Sequence, residues 1–194
     1  MTAYDDRTAL LVVDVQNDFA EPAGSLSVAG GLDVVPVINR EVEAARRAGA
    51  LRVYTQDWHP ASTPHFAKDG GVWPVHCVAE TWGAEFATGL VVDGPVVRKG
   101  VDGGDGYSGF SVRDPSSGDE SATELEGLLR GANVERVVIA GLATDYCVKA
   151  TALDAVRLGF EAVVLRDGIR AVDVNAGDGD RSISEMAAAG VQIS

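Results

Sequence analysis

Two groups of residues in this 194-residue chain have types and spacing suited to chemistry. The first centres on Cys147, in "GLATDYCVKA", which follows the apolar run "VVIAG" and falls where the first turn of a helix is expected. Unpaired backbone N–H groups and the helix dipole favour an anion there. Lys99 ends a second apolar run, "PVVRK", and Asp14 interrupts a third, "ALLVVDV". A cation beside a thiol favours the thiolate, and a carboxylate can take the thiol proton and pass it to a leaving group. Together the three residues suit nucleophilic attack on a carbonyl. The competing reading is a buried structural cysteine, the commoner fate of that residue type, but the ends of three separate strands supplying all three parts favour the nucleophile. Cys77, in "PVHCV", has no helix start after it and is assigned to packing.

The second group uses every histidine in the protein. "QDWHPASTPHFAKDGGVWPVHC" contains Asp57, His59, His65 and His76. In extended chain Asp57 and His59 point to one side and Trp58 to the other. Pro60, Pro64 and Pro74 restrict the paths by which His65 and His76 join them. Three imidazoles and a carboxylate suit one divalent transition metal per chain, zinc first with Mn or Fe as alternatives, rather than Ca or Mg.

The elements that must position these groups alternate. Strands are expected at Ala9 to Val15, at "LRVYTQD", at "PVVRK", at "ERVVIAG", at "EAVVLRD" and at "VQI". Helices are expected at about Asp33 to Ala48, near Ala84 to Thr88, near Ala122 to Leu129, at about Asp145 to Leu158, and near Ile183 to Ala189. Nearly continuous apolar strands separated by amphipathic helices predict an α/β fold: a doubly wound, mostly parallel six-stranded sheet with helices on both faces. No break in composition marks a second domain, so residues 1–194 read as one. Ligands of such sheets collect beyond the carboxyl ends of the strands, where Asp14, Asp57, Lys99 and the "GLATDYC" turn all fall.

A formal net charge of −13 without a dense Lys/Arg cluster argues against nucleic acid and against an anionic membrane as partners. No apolar run reaches the ~20 residues of a transmembrane helix, and the acidic start "MTAYDD" lacks the basic flank of a secretory signal. The expected location is the cytoplasm, with both cysteines free. "GDGYSG" (104–109) matches G-x-G-x-x-G but neither follows a strand directly nor opens a helix, and "DVNAGDGD" (173–180) is out of register with a calcium loop. Both read as loops.

With these residues in view, the chain resembles the nicotinamidase/pyrazinamidase branch of the isochorismatase-like cysteine hydrolases. The likeness runs in order through "LLVVDVQNDF", "DWHPASTPHF", "WPVHC", "RKGVDGGDGYSGF" and "GLATDYCVKATALDA". It implies a catalytic set of Asp14, Lys99 and Cys147, and a metal held by Asp57, His59, His65 and His76. It further implies a cis peptide between Leu142 and Ala143 beside the oxyanion donors, and aromatic walls from Phe19, Trp73 and Tyr107 around a small heteroaromatic amide. "VDGGDG" after Lys99 lacks the aromatic that many relatives carry, which leaves the breadth of substrates open. So are a neighbouring activity, such as N-carbamoyl amide hydrolysis or vinyl-ether cleavage, a catalytically silent binding protein on the same fold, and a homo-oligomer.

Overall fold

The computed structural model describes residues 4–194. Its main sheet has six parallel strands in the order β3-β2-β1-β6-β7-β8: β1 (Thr8–Val13), β2 (Leu51–Asp57), β3 (Val96–Lys99), β6 (Arg136–Leu142), β7 (Glu161–Arg170) and β8 (Gln192–Ile193). Every residue of β1 is buried, and successive side chains enter different cores. Leu10 and Val12 pack with Ile38, Val42 and Ala45 of α2 (Val34–Arg47), whereas Ala9, Leu11 and Val13 pack with residues of α3 (Leu125–Gly131), α4 (Lys149–Arg157) and α5 (Asp178–Ala188). A strand covered on both faces needs no polar alternation, which is why the run reads as continuously apolar. Truncating Leu11 or Ile139 to alanine would cost about 2–5 kcal/mol.

Chain order reverses between β1 and β6. From β1 the chain winds outward through β2 to β3; from β6 it winds the other way through β7 to β8. The crevice at that reversal is where doubly wound sheets bind ligands, and it lies between Asp14 and the turn carrying Cys147.

The structure departs from the expected elements at four places. No helix forms at 84–88: a single 3-10 turn spans Trp82–Ala84, and residues 85–87 instead run beside 15–17, with Asn17 N–H donating to Glu85 O and Ala87 N–H to Val15 O, both at 2.9 Å. Ala122 is strand and not helix. It pairs with Ser111 in an antiparallel hairpin of β4 (Ser111–Arg113) and β5 (Glu120–Ala122), turned by Asp114 Oδ1 accepting the N–H groups of Ser116 and Ser117. Helix α5 starts at Asp178, earlier than its apolar spacing suggests, because the carboxylates of Asp178 and Asp173 accept the N–H groups of Asn175 and Gly179 and organise its first turn. The helix expected from Asp145 opens as a π turn, Thr144–Val148, before α4 begins.

Candidate active site

Asp14 follows β1 with φ of +48°, a left-handed conformation that aspartate tolerates better than most residues and that re-aims the chain at the strand end. Its Oδ1 accepts the Thr55 hydroxyl at 2.6 Å, and its N–H donates to Thr55 Oγ1 at 3.2 Å. Lys99 ends β3, two strands away, and is 1% exposed. Its Nζ lies 2.8 Å from Asp14 Oδ2 and 3.7 Å from Cys147 Sγ, and it also bonds Asp57 Oδ1. Two carboxylates and a sulfur thus surround one buried cation.

Cys147 sits inside the π turn, closed by Val148 N–H donating to Ala143 O at 3.1 Å. The peptide between Leu142 and Ala143 is cis, as the resemblance implies. Ahead of it Gly141 has φ of +130°, and a Cβ there would stand 2.0 Å from Val13 O, so only glycine lets β6 end this close to β1. Single π turns recur at functional sites because they displace one residue from the helical register.

The sequence argument expected the helix start and Lys99 to favour a thiolate; burial opposes that. Cys147 is buried, 7% exposed, and burial pushes its thiol well above the usual cysteine range, with Asp14 and Asp57 adding to the rise and Lys99 opposing it. The sulfur and a carboxylate oxygen of Asp14 lie within 4.8 Å of each other. Burial likewise raises Asp14 above the ordinary carboxylate range despite Lys99. Burial disfavours the charge on Lys99, but the Asp14 and Asp57 carboxylates outweigh it and hold the ammonium well above the lysine range. Burial and the neighbouring carboxylates thus favour the protonated thiol, beside a carboxylate of raised pKa and a fixed cation.

His59, His65 and His76 converge, with one ring nitrogen from each within 4.8 Å of the others, and all three are buried. His59 extends from β2 through Asp57 and Trp58, held by His59 N–H donating to Cys77 O at 2.9 Å. Gly100 makes room for its ring: a Cβ there would come 2.5 Å from His59 Nδ1. Both ring nitrogens of His59 are buried without a hydrogen-bond partner, an arrangement that costs about 1–3 kcal/mol per group unless something binds them. Burial lowers His59 to about 4 and also depresses His76, so both present neutral imidazoles suited to a metal. Asp57 stands between the two groups, Oδ1 on Lys99 and Oδ2 3.9 Å from His59 Nε2. Burial alone would raise its pKa; Lys99 and then His59 outweigh that and hold it at about 2. The donor set fits a divalent transition metal.

Phe19, Trp73 and Tyr107 line the same pocket as Cys147, Ala143, Asp57 and the three histidines. Sequence reasoning passed over Tyr146, whose ring stands 5.1 Å from Trp73 and 5.3 Å from Tyr107 and completes an aromatic rim. Its signal was adjacency to the nucleophile, which a lone aromatic does not reveal as a pocket wall. Gln16 was also passed over. Its side-chain amide donates to Asp57 O and accepts Asp57 N–H, clamping the backbone at the end of β2 as a neighbouring strand would. Cys77 is fully buried beside the α2 core, as assigned, and neither cysteine is in a disulfide.

Residues 8–194 match the family described as Isochorismatase domain. The chain is 36% identical to the nicotinamidase of Escherichia coli (strain K12) over 203 residues, covering 95% of this chain and 93% of that protein. The pyrazinamidase of Pyrococcus horikoshii, solved in complex with zinc, superposes with a TM-score of 0.86 at 41% identity, covering 97% of this chain and 98% of its own. PnC1 from L. infantum, solved in complex with nicotinate, gives 0.87 at 36% identity, covering 100% of this chain and 95% of its own. A site assembled at the switch point of this sheet and a likeness spanning nearly the whole chain agree: the protein belongs to the isochorismatase family of hydrolases, on its nicotinamidase branch.

Proposed function

We propose that this chain is a cytoplasmic, single-domain amidohydrolase that converts nicotinamide and water to nicotinic acid and ammonia, with Asp14, Lys99 and Cys147 as its catalytic residues. The observation that carries this reading is the buried cluster of Cys147, Lys99 and Asp14, opening on an aromatic-walled pocket that also holds three inward-gathered histidines.

As Cys147 Sγ attacks the carboxamide carbon, its proton passes to Asp14, whose raised basicity suits the transfer. Asp14 returns that proton to the amide nitrogen, the C–N bond breaks and ammonia leaves, giving a thioester on Cys147. Backbone N–H groups of Ala143 and Cys147, beside the Leu142–Ala143 cis peptide, are the proposed donors to the carbonyl oxyanion. Water then adds to the thioester, Asp14 taking its proton and restoring the thiol as nicotinic acid departs. Lys99 stays protonated throughout and offsets the negative charge that passes between sulfur and Asp14. A divalent metal, zinc first, held by His59, His65, His76 and Asp57 would supply a Lewis-acid position for a ring nitrogen and so orient the substrate. Phe19, Trp73 and Tyr107, with Tyr146, flank a flat ring.

An ammonia-release assay on nicotinamide, pyrazinamide, picolinamide, benzamide and one N-carbamoyl amine tests the proposal. Nicotinamide and pyrazinamide carry a ring nitrogen meta to the carboxamide and are expected to turn over. Benzamide has none, picolinamide has it ortho, and both are expected to be poor because ring anchoring and carbonyl placement no longer coincide. Equal rates for benzamide and nicotinamide, or turnover of the carbamoyl compound alone, would replace this reading with a different amide hydrolase.

A further inference from the structure

The three histidines differ in what holds the ring edge turned away from the cluster. For His76 it is a backbone carbonyl: Nδ1 lies 2.7 Å from Pro74 O, and since a carbonyl only accepts, Nδ1 carries the proton. His59 has no hydrogen-bond partner on either nitrogen among the described residues. For His65 it is a side chain, with Nδ1 2.8 Å from Asp105 Oδ1. Asp105 belongs to the "GDGYSG" loop, which also carries the pocket residue Tyr107, but the proposed chemistry gives Asp105 itself no role.

Asp105 is not a loose surface carboxylate that happens to reach an imidazole. Its backbone makes a reciprocal pair with Arg113 at the turn end of β4, Asp105 N–H to Arg113 O at 2.7 Å and Arg113 N–H to Asp105 O at 2.6 Å. Its Oδ1 also accepts the following Gly106 N–H at 2.7 Å. One loop earlier, the Thr63 hydroxyl donates to Gly103 O at 3.1 Å and ties the histidine-bearing segment to the same turn. The carboxylate is thus fixed at its backbone and at the oxygen that faces His65.

Resting on the reading that the histidine cluster binds a metal, we propose that Asp105 is a positioning residue for it: accepting the Nδ1 proton of His65 fixes the tautomer in which Nε2 is the free, ligating nitrogen. An ionised acceptor also makes that imidazole a stronger donor than a carbonyl partner would. Of the two outer ring contacts this is the one a side chain supplies, so it is the one that substitution can remove without touching a ligand.

The test is zinc affinity, measured on chelator-stripped protein by competition with a chromophoric chelator and paired with thermal unfolding of each stripped variant. Asp105→Ala is expected to weaken zinc binding about 10- to 100-fold, the usual effect of removing such an outer partner. Asp105→Asn retains an oxygen acceptor for Nδ1–H and is expected to recover most of that loss. Arg113→Ala leaves the backbone pair in place, its guanidinium being 3.9 Å from Asp105 Oδ2, and is expected to bind zinc as the wild type does. Wild type and His65→Ala binding zinc equally would mean that the metal reading itself has failed. If His65→Ala loses zinc while Asp105→Ala keeps wild-type affinity, with or without a lower melting temperature, the inference fails alone. Equal losses in Asp105→Ala and Asp105→Asn would also overturn it, since the acceptor would not be what matters.

Discussion

Replacing Lys99 by methionine removes the cation from a buried cluster while keeping an unbranched side chain of similar length. Carboxylate oxygens of Asp14 and Asp57 and the sulfur of Cys147 all lie within 4.8 Å of one another. At that spacing, two unit charges in surroundings of effective dielectric constant about 20 repel by about 3 kcal/mol. Removing one partner of a buried ion pair costs about 3–5 kcal/mol in general, which agrees. The variant can relieve the repulsion by holding one proton on the carboxylate pair, and that sets the sign of its pH dependence. A carboxylate whose folded pKa is raised contributes instability that grows as pH rises, so the deficit relative to wild type should be largest near pH 8. It should stay level until pH falls to the raised carboxylate pKa and then shrink by up to about 1.4 kcal/mol per pH unit until the repulsion is gone. Urea unfolding of both proteins from pH 5 to 8 in metal-free buffer measures this, because the histidine contributions are common and cancel in the difference. Lys99→Met combined with Asp14→Asn should recover most of the stability at pH 8 and none of the activity. A deficit that is flat with pH and untouched by Asp14→Asn would show that Lys99 acts through packing, and the electrostatic account of the site would be wrong.

Cys147→Ala should lower the rate of ammonia release by about three powers of ten or more, while Cys77→Ala, whose side chain does not line the pocket, should keep most of it; a Cys147→Ala enzyme above a tenth of wild-type rate rules out the nucleophile. Purified protein should contain about one transition metal per chain, and His59→Ala or His76→Ala should lose it; elemental analysis showing calcium instead, or full activity without metal, contradicts the site. The metal-free protein should lose stability on mild acidification. His59 has a folded pKa of about 4 against 6.5 for the free side chain, so its contribution is complete above pH 6.5 and lost as pH falls toward 4. That amounts to about 3 kcal/mol, and an unfolding midpoint unchanged between pH 7 and pH 5 would refute it.

What the sequence determined by itself was local and periodic. Apolar runs marked all six strands of the sheet, β2 to the residue, because strands covered on both faces carry their burial in their own composition. The histidine-rich segment and the strand-end Asp14, Lys99 and Cys147 were legible for the same reason: each belongs to a short stretch with its own signal. What failed locally was settled by partners far away in the chain. Residues 85–87 are extended because they pair with 15–17, and Ala122 is strand because Ser111 lies across from it. The ionisation of the site belongs wholly to the tertiary structure. Cys147 sits in a helical opening that should favour a thiolate, yet burial first, and Asp14 and Asp57 with it, push its thiol pKa up. Solvent exclusion and the approach of charges from β1, β2 and β3 set a pKa, and neither is encoded within ten residues of the cysteine. Asp105 and Tyr146 were silent for the same cause: an acceptor for one imidazole and a wall for one ring exist only once the loops that carry them have met.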